Sequence, residues 1–139
     1  MSLLDRIKAA RRVYLIGNGG SYSNAAHIAN DLLASGIKAY TMDSAILTAF
    51  ANDHGYEHVF ANWLGVVGEK GDLLIALSGS GKSPNILNAI QMAETLGMDV
   101  ERVFGAPVHD MQTSEERQIM LGHELMRQLK KELKENDCR

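Results

Sequence analysis

The sequence predicts an α/β fold in which a parallel sheet is flanked by helices on both faces. Short apolar runs at Val13–Ile16 and residues 73–77 have the continuous hydrophobic character of buried parallel strands. Each run is followed by a Gly/Ser-rich loop and then by a segment of helical periodicity. Because the order strand, loop, helix, strand recurs, we expect right-handed crossovers with helices on both faces of the sheet.

The individual elements follow from apolar periodicity and from capping residues. A short helix over residues 3–11 precedes the first strand, and a helix over 23–35 follows it and ends at Gly36. Residues 38–42 form a weaker strand. A helical segment over 45–67, broken at 52–55, leads to the strand at 73–77.

The second half of the chain has fewer strand signals. Pro84 suits the first turn of a helix that continues to about residue 96, and Gly97 ends it. A last helix spans about 114–133. Residues 98–110 have no clear pattern, and thirteen residues leave room for one short strand and its turns.

Composition limits the classes of function. A chain of 139 residues is predicted to form one domain over residues 1–139, and a net charge of −3 gives no basic stripe for nucleic acid. Cys138 is the only cysteine, so no disulfide forms within the chain. Neither a secretory signal nor the roughly 18 apolar residues of a membrane span are present, so we expect no membrane contact and a cytoplasmic location.

Neither glycine-rich loop has a nucleotide-binding motif. The first loop begins at Gly17, and a dinucleotide fingerprint would need glycine where Tyr22 stands. The second loop, residues 78–83, would need glycine at Ala76 to be a P-loop. We therefore expect no nucleotide cofactor.

The second loop has the donors that a phosphate requires. The hydroxyls of Ser78, Ser80 and Ser83, several free backbone N–H groups and a helix N-terminus are predicted to converge there. Both loops follow apolar strands, and ligands of parallel sheets bind beyond the carboxyl ends of the strands. The alternative interpretation is that serine and glycine only form a turn and cap the helix.

Several motifs in a fixed order resemble one family. They are Gly17-Asn18-Gly19-Gly20-Ser21, His27 with Asp31, Ala51-Asn52-Asp53, Tyr56-Glu57-His58-Val59-Phe60, Ser78-Gly79-Ser80-Gly81-Lys82-Ser83-Pro84-Asn85, and Gln112-Thr113-Ser114-Glu115-Glu116-Arg117 with Gly122-His123. The set resembles the sedoheptulose 7-phosphate isomerases (phosphoheptose isomerases) of the SIS sugar-isomerase superfamily. The resemblance implies a three-layer flavodoxin-like/SIS fold with a reduced parallel sheet flanked by helices, and a homotetramer (or dimer) with active sites near subunit interfaces. It also implies aldose–ketose isomerisation of sedoheptulose 7-phosphate to D-glycero-D-manno-heptose 7-phosphate through an enediol.

The resemblance also implies roles for particular residues. Asp31 and His123 would transfer the protons, since a carboxylate and an imidazole can divide the acid and base roles near neutral pH. The substrate-binding residues would be Asn18, Gly19, Gly20, Ser21, Asp53, Ser78, Gly79, Ser80, Lys82 and Ser83. Among these the four serines would hold the phosphate, and Asn18 and Asp53 would contact the sugar.

A metal site is the further implication, because some relatives bind zinc. His27 and Asp31 stand at i, i+4 on one helix face, and Glu115 and His123 would complete the set. The last two are harder to bring together, because eight helical residues rise about 12 Å. The alternative is that His27 caps a buried helix face, Glu115 is an exposed glutamate and His123 lies at an interface.

The sequence departs from the family pattern at particular positions. Asp31 stands where a glutamate is usual, and Lys82 where a neutral residue is common. The chain is also shortened before Val13 and between Gly97 and the last helix. Two other functions stay open: isomerisation of another ketose or amino-sugar phosphate, and a non-catalytic SIS regulator that binds a phosphosugar or a protein, such as a replication initiator.

Overall fold

The computed structural model describes residues 1–105 and 110–137, so Cys138 lies outside the described residues. The strands are β1 (Val13–Ile16), β2 (Ala39–Thr41), β3 (Leu73–Ser78) and β4 (Asp99–Phe104). The helices are α1 (Leu3–Ala9), α2 (Gly20–Ala34), α3 (Ser44–His54), α4 (Val59–Val67), α5 (Pro84–Thr95) and α6 (Met111–Asp137). A single 3-10 turn, Tyr56–His58, joins α3 to α4.

The strands form one parallel sheet in the order β2-β1-β3-β4. Ile16 at the end of β1 is in register with Ala76 of β3, and Ser78 at the end of β3 is in register with Phe104 of β4. The carboxyl ends of the strands therefore lie along one edge. The predicted α/β fold with a reduced parallel sheet is confirmed.

Helices cover both faces of the sheet because the side chains of each strand alternate. Val13 and Leu15 of β1 pack into a core with α1, α2 and α6, whereas Tyr14 and Ile16 pack into a second core with α4 and α5. The first core includes Leu4, Ile7, Ile28, Leu32, Leu73, Ile75, Leu125 and Leu129. The second includes Phe60, Trp63, Leu64, Leu74, Ile86 and Ile90.

Some helix boundaries differ from the prediction. α2 begins at Gly20, three residues earlier than expected, because Gly19 turns the chain with a φ of +55°. The break after α3 falls at Gly55, where φ is +91°, so Asn52 and Asp53 stay in the helix. α6 begins at Met111, where the Thr113 N–H donates to the carboxylate of Asp110 at 2.7 Å.

Strand β4 lies in the stretch that the sequence pattern leaves unassigned. It is an edge strand of exposed and half-buried residues with none fully buried, so it lacks the apolar run of a central strand. The Arg6 guanidinium holds it to α1 by donating to the Asp99 carboxylate at 2.8 Å and to the Val100 carbonyl at 3.0 Å. Among the described residues, no helix combines the length and apolar character that crossing a membrane requires.

Asp72 introduces a fully buried carboxyl at the start of β3. One of its oxygens accepts a hydrogen bond from the Glu69 N–H at 2.8 Å. The other lies 3.6 Å from the Arg11 guanidinium and accepts no hydrogen bond from a described residue. Burial raises the pKa of Asp72, and the charge of Arg11 opposes this shift without cancelling it.

We expect the free energy of unfolding of Asp72→Asn to increase, relative to that of the wild-type chain, as pH rises. The raised pKa means that the folded chain binds a proton at Asp72 where the unfolded chain has lost it. The free energy of unfolding of the wild-type chain therefore falls as pH rises from the ordinary carboxyl value of 3.8 through the raised pKa, and the asparagine removes this loss. Urea unfolding of both proteins from pH 4 to pH 8 measures the difference; a difference that stays constant with pH would contradict the assignment.

Candidate active site

Two loops lie side by side at the carboxyl edge of the sheet. Residues 17–19 lead from β1 into α2, and residues 79–83 lead from β3 into α5. Because β1 and β3 are hydrogen-bonded neighbours, the first turns of α2 and α5 begin next to each other. Gly17 permits the tight turn from β1 into α2, since a Cβ there would overlap the backbone of Ser21.

The helices that begin at these loops have no side-chain cap. Gly19 and Ser83 precede α2 and α5, and neither makes a side-chain hydrogen bond to its helix. By contrast, Ser2, Asp43 and Asp110 cap α1, α3 and α6. In the first turns of α2 and α5 the N–H groups of Ser21 and Ile86 donate to backbone carbonyls, at 2.9 and 3.1 Å. Those of Gly20, Tyr22 and Asn85 have no acceptor among the described residues. A helix N-terminus with such unused N–H groups favours an anion.

Three serine hydroxyls at these loops each accept a hydrogen bond from another group of the chain. Ser21 Oγ accepts from Gln118 Nε2 at 3.0 Å, Ser78 Oγ from the Gly81 N–H at 2.9 Å, and Ser80 Oγ from the Lys82 N–H at 3.1 Å. Within the described parts of the chain, none of the three hydroxyls donates its own proton to an acceptor. A hydroxyl can donate and accept at once, so each has a proton left for an acceptor oxygen.

Some backbone donors of the second loop are used within the loop itself. The sequence predicts several free backbone N–H groups there; those of Gly81 and Lys82 donate to serine hydroxyls. The cause is the turn itself, in which Gly81 has a φ of +66° and folds the loop back on its own side chains. The N–H groups of Gly79, Ser80 and Ser83 have no acceptor among the described residues. The serines do form a turn, but Ser83 does not cap α5.

Two asparagines connect the loops. Asn18 Nδ2 donates to Asn85 Oδ1 at 2.9 Å, and Asn85 Nδ2 donates to Asn18 Oδ1 at 2.9 Å. The phenol of Tyr56 also donates to Asn18 Oδ1, at 2.7 Å. The site prediction includes Asn18 but neither Asn85 nor Tyr56; the one signal for Asn85 was an amide placed just inside the start of a helix.

Two other predicted residues lie on the surface. Asp53 is exposed in the last turn of α3, where it accepts a hydrogen bond from Asn52 at 3.2 Å. Lys82 is exposed in the second loop.

The residues predicted to transfer protons lie farther along α2 and α6. His27 Nε2 is 3.2 Å from Asp31 Oδ2, and the rings of His27 and His123 have centroids 5.5 Å apart. One ligand atom from each of His27, Asp31 and His123 lies within 4.8 Å of the others. Gly122 permits this close approach of the helices, since a Cβ there would overlap the side chain of Ile28.

Glu115 lies elsewhere on the same helix pair. Its carboxylate packs on Gly20 at the start of α2, where a Cβ would overlap it, and it is not a member of the three-residue group. α2 and α6 run side by side in the same direction, since Ser21 contacts Gln118 and His27 contacts His123. The eight residues from Glu115 to His123 rise about 12 Å, which places Glu115 beside the loops instead.

A groove between α2 and α6 adjoins the carboxylate and the imidazole. It has a volume of about 530 Å³ and is lined by Asp31, Ala34, Ser35, His123, Met126, Arg127 and Lys130. Because the half-buried side chain of Asp31 lines this groove, it is accessible to a small molecule. The side chain of His27 is exposed as well.

A family model described as SIS domain matches residues 1–103. The chain belongs to the SIS domain family. This SIS domain is 38% identical over 112 residues to a phosphoheptose isomerase of Bradyrhizobium sp., covering 75% of the chain and 57% of the relative. It is 40% identical over 109 residues to a phosphoheptose isomerase of Akkermansia muciniphila, covering 73% and 58%.

A solved structure supports the same relationship. A phosphoheptose isomerase from Neisseria gonorrhoeae superposes with a TM-score of 0.85 at 26% sequence identity, covering 93% of this SIS domain and 81% of that chain. The SIS domain spans little more than half the length of the curated relatives it matches. The resemblance in the sequence motifs is confirmed at the level of the family and the fold.

Proposed function

We propose that this chain is an aldose–ketose isomerase of a phosphorylated sugar, with sedoheptulose 7-phosphate as its substrate. The observation that carries the proposal is the set of three serine hydroxyls with unused protons beside two uncapped helices. The names of the relatives agree with it, since they are phosphoheptose isomerases. The acid–base pair on α2 and α6 supplies the chemistry.

The phosphate binds at the two loops. Its oxygens accept hydrogen bonds from the hydroxyls of Ser21, Ser78, Ser80 and Ser83 and from the unused N–H groups in the first turns of α2 and α5. Gly19, Gly20 and Gly79 keep this surface free of side chains, and Gly79 has no room for one because Met111 packs against it. Lys82 adds a positive charge that the dianion attracts.

The sugar chain extends from the loops toward Asp31. Ten helical residues separate Ser21 from Asp31, a rise of about 15 Å along α2. A substrate that contacts both ends therefore carries its phosphate at the end remote from its carbonyl, as a ketose 7-phosphate does. Asn18, and Asp53 at the end of α3, would contact sugar hydroxyls on the way.

Isomerisation moves one proton between neighbouring carbons. The carboxylate of Asp31 takes the proton from the hydroxyl-bearing C1 of the ketose, and the imidazole of His123 protonates the carbonyl oxygen as the enediol forms. The proton then returns to C2 while the C1 hydroxyl loses its own, which gives D-glycero-D-manno-heptose 7-phosphate. No electrons leave the substrate, so no redox cofactor takes part.

The residues at the acid–base pair also fit a zinc ion. Two imidazoles and a carboxylate are a donor set that zinc accepts, with a fourth position open to substrate. The approach of one ligand atom each from His27, Asp31 and His123 supports this, while Glu115 would reach the ion only after moving away from Gly20. When bound, zinc would polarise a substrate oxygen as a Lewis acid.

Self-association as a homotetramer or dimer is part of the proposal. Apolar side chains at Ile46, Val66 and Leu87 are 43%, 79% and 45% exposed, and α3 has no buried residue. A second copy of the chain would cover such side chains. The extent of the domain over residues 1–139 and a cytoplasmic location stay predictions.

We expect the wild-type chain to convert sedoheptulose 7-phosphate to an aldose phosphate, and Asp31→Ala or His123→Ala to lower kcat by about 10²- to 10⁴-fold. Asp31→Glu retains turnover because the carboxylate is kept. His58→Ala is the control, since His58 is exposed and the one polar partner of its side chain among the described residues is Glu57, at 3.5 Å. Binding of a ketose phosphate without turnover of any would reject the enzyme and favour a phosphosugar-binding regulator.

We expect one zinc ion per chain after equilibration with zinc and dialysis. His27→Ala and His123→Ala should lower the bound zinc at least tenfold, because each removes one of three donors. Glu115→Gln should change it less, since Glu115 lies apart from the group. Zinc content by mass spectrometry, and the melting temperature before and after chelation, give readouts that do not need activity; a wild-type chain without zinc would contradict the assignment.

A further inference from the structure

Asn18 and Asn85 form a closed pair of side-chain amides between the two loops. Asn18 follows β1, and Asn85 lies in the first turn of α5, where it is 2% exposed. Each amide donates to the oxygen of the other at 2.9 Å. The pair therefore joins the loop before α2 to the helix that follows the second loop.

Tyr56 restricts Asn18 further. Its phenol donates to Asn18 Oδ1 at 2.7 Å, so this oxygen accepts from both Asn85 and Tyr56. A side-chain amide has two N–H donors and an oxygen that accepts two hydrogen bonds. The oxygen of Asn18 is thus fully used, one N–H is donated to Asn85, and the second has no acceptor among the described residues.

We propose that Asn85 and Tyr56 are positioning residues that make Asn18 a hydrogen-bond donor only, so that it selects ligands with an acceptor oxygen next to the phosphate site. The ligand class is a phosphorylated sugar that presents a carbonyl or hydroxyl oxygen to the free N–H of Asn18. The inference rests on the proposed function and deepens it. It assigns a role to Tyr56 and Asn85, which lie outside the acid–base pair and the phosphate-binding serines.

A merely structural role for the same contacts has a different signature. A buried amide that loses its partner destabilises the fold, so a purely structural pair would affect stability and weaken all ligands equally. A positioning pair affects the sugar and leaves the phosphate contacts intact. Tyr56 separates the two roles well, because it is 49% exposed and its hydroxyl adds little to the core.

The test compares Tyr56→Phe, Asn85→Asp and Asn18→Asp with the wild-type chain. Tyr56→Phe removes one donor to Asn18, Asn85→Asp replaces the amide donor with a carboxylate of the same shape, and Asn18→Asp removes both N–H groups. Tyr40→Phe is the matched control, because Tyr40 is also partly exposed and its hydroxyl makes no hydrogen bond to a described residue. Calorimetry measures the Kd of sedoheptulose 7-phosphate and of inorganic phosphate for each protein.

We expect Tyr56→Phe to raise the Kd of sedoheptulose 7-phosphate about five- to tenfold, the effect of one hydrogen bond, and to leave that of inorganic phosphate within twofold. Asn85→Asp and Asn18→Asp should raise the ratio of the Kd of sedoheptulose 7-phosphate to the Kd of inorganic phosphate at least as much. Tyr40→Phe should not change this ratio. In turnover, KM should rise in Tyr56→Phe while kcat stays within twofold.

Two results would overturn the inference: an unchanged ratio in Tyr56→Phe, including an equal weakening of both ligands, or an unchanged ratio in Asn18→Asp. A wild-type chain that binds inorganic phosphate but not the ketose phosphate would overturn it as well. A changed ratio in a protein that turns over no ketose phosphate would support the inference and reject the isomerase. The two proposals therefore fail in distinguishable ways.

Discussion

The parallel pairing of β1 with β3 is the interaction on which the rest of the site depends. It places the loops after both strands at one edge of the sheet, and it starts α2 and α5 next to each other. The strands are held in register by side chains buried on both faces, and a shift of one residue would exchange those faces. The positions of the serines are thus set by the burial of apolar residues, which do not themselves contact a ligand.

The packing of α2 against α6 is the second constraint. Gly122 brings the helices close enough for His27, Asp31 and His123 to form one group. Gln118 of α6 is 2% exposed and donates to Ser21, so the same helix pair that places the imidazole also orients a serine of the loops. The His27–Asp31–His123 group and the two loops are therefore parts of one packed unit.

Local patterns predicted much of this arrangement. The apolar runs predicted β1 and β3, and the glycines predicted the loops after them. The i, i+4 spacing predicted that His27 lies beside Asp31. Strand β4 was not recognised, because its charged residues bind Arg6 at the edge of the sheet and it lacks an apolar run. The Asn18–Asn85 pair joins residues 67 positions apart, and no local pattern signals such a contact.

Glu115 shows why the members of the proposed metal site were harder to predict than the loops. The spacing from Glu115 to His123 is compatible with one face of a helix, but distance along that helix decides whether two side chains can share an ion. In the structure Glu115 lies against Gly20, near the loops. The loops, by contrast, need only the ends of two neighbouring strands, and strand burial is readable from the sequence.

The central claim is that both loops form one anion site, and phosphate binding tests it most directly. Calorimetric titration with inorganic phosphate compares the wild-type chain with Ser21→Ala from the first loop, Ser80→Ala from the second, and the exposed Ser44→Ala as control. The account predicts that each loop variant raises the Kd about tenfold, the loss of one hydrogen bond to a charged group, while the control binds as the wild type does. Phosphate binding that is unchanged in both loop variants would contradict it.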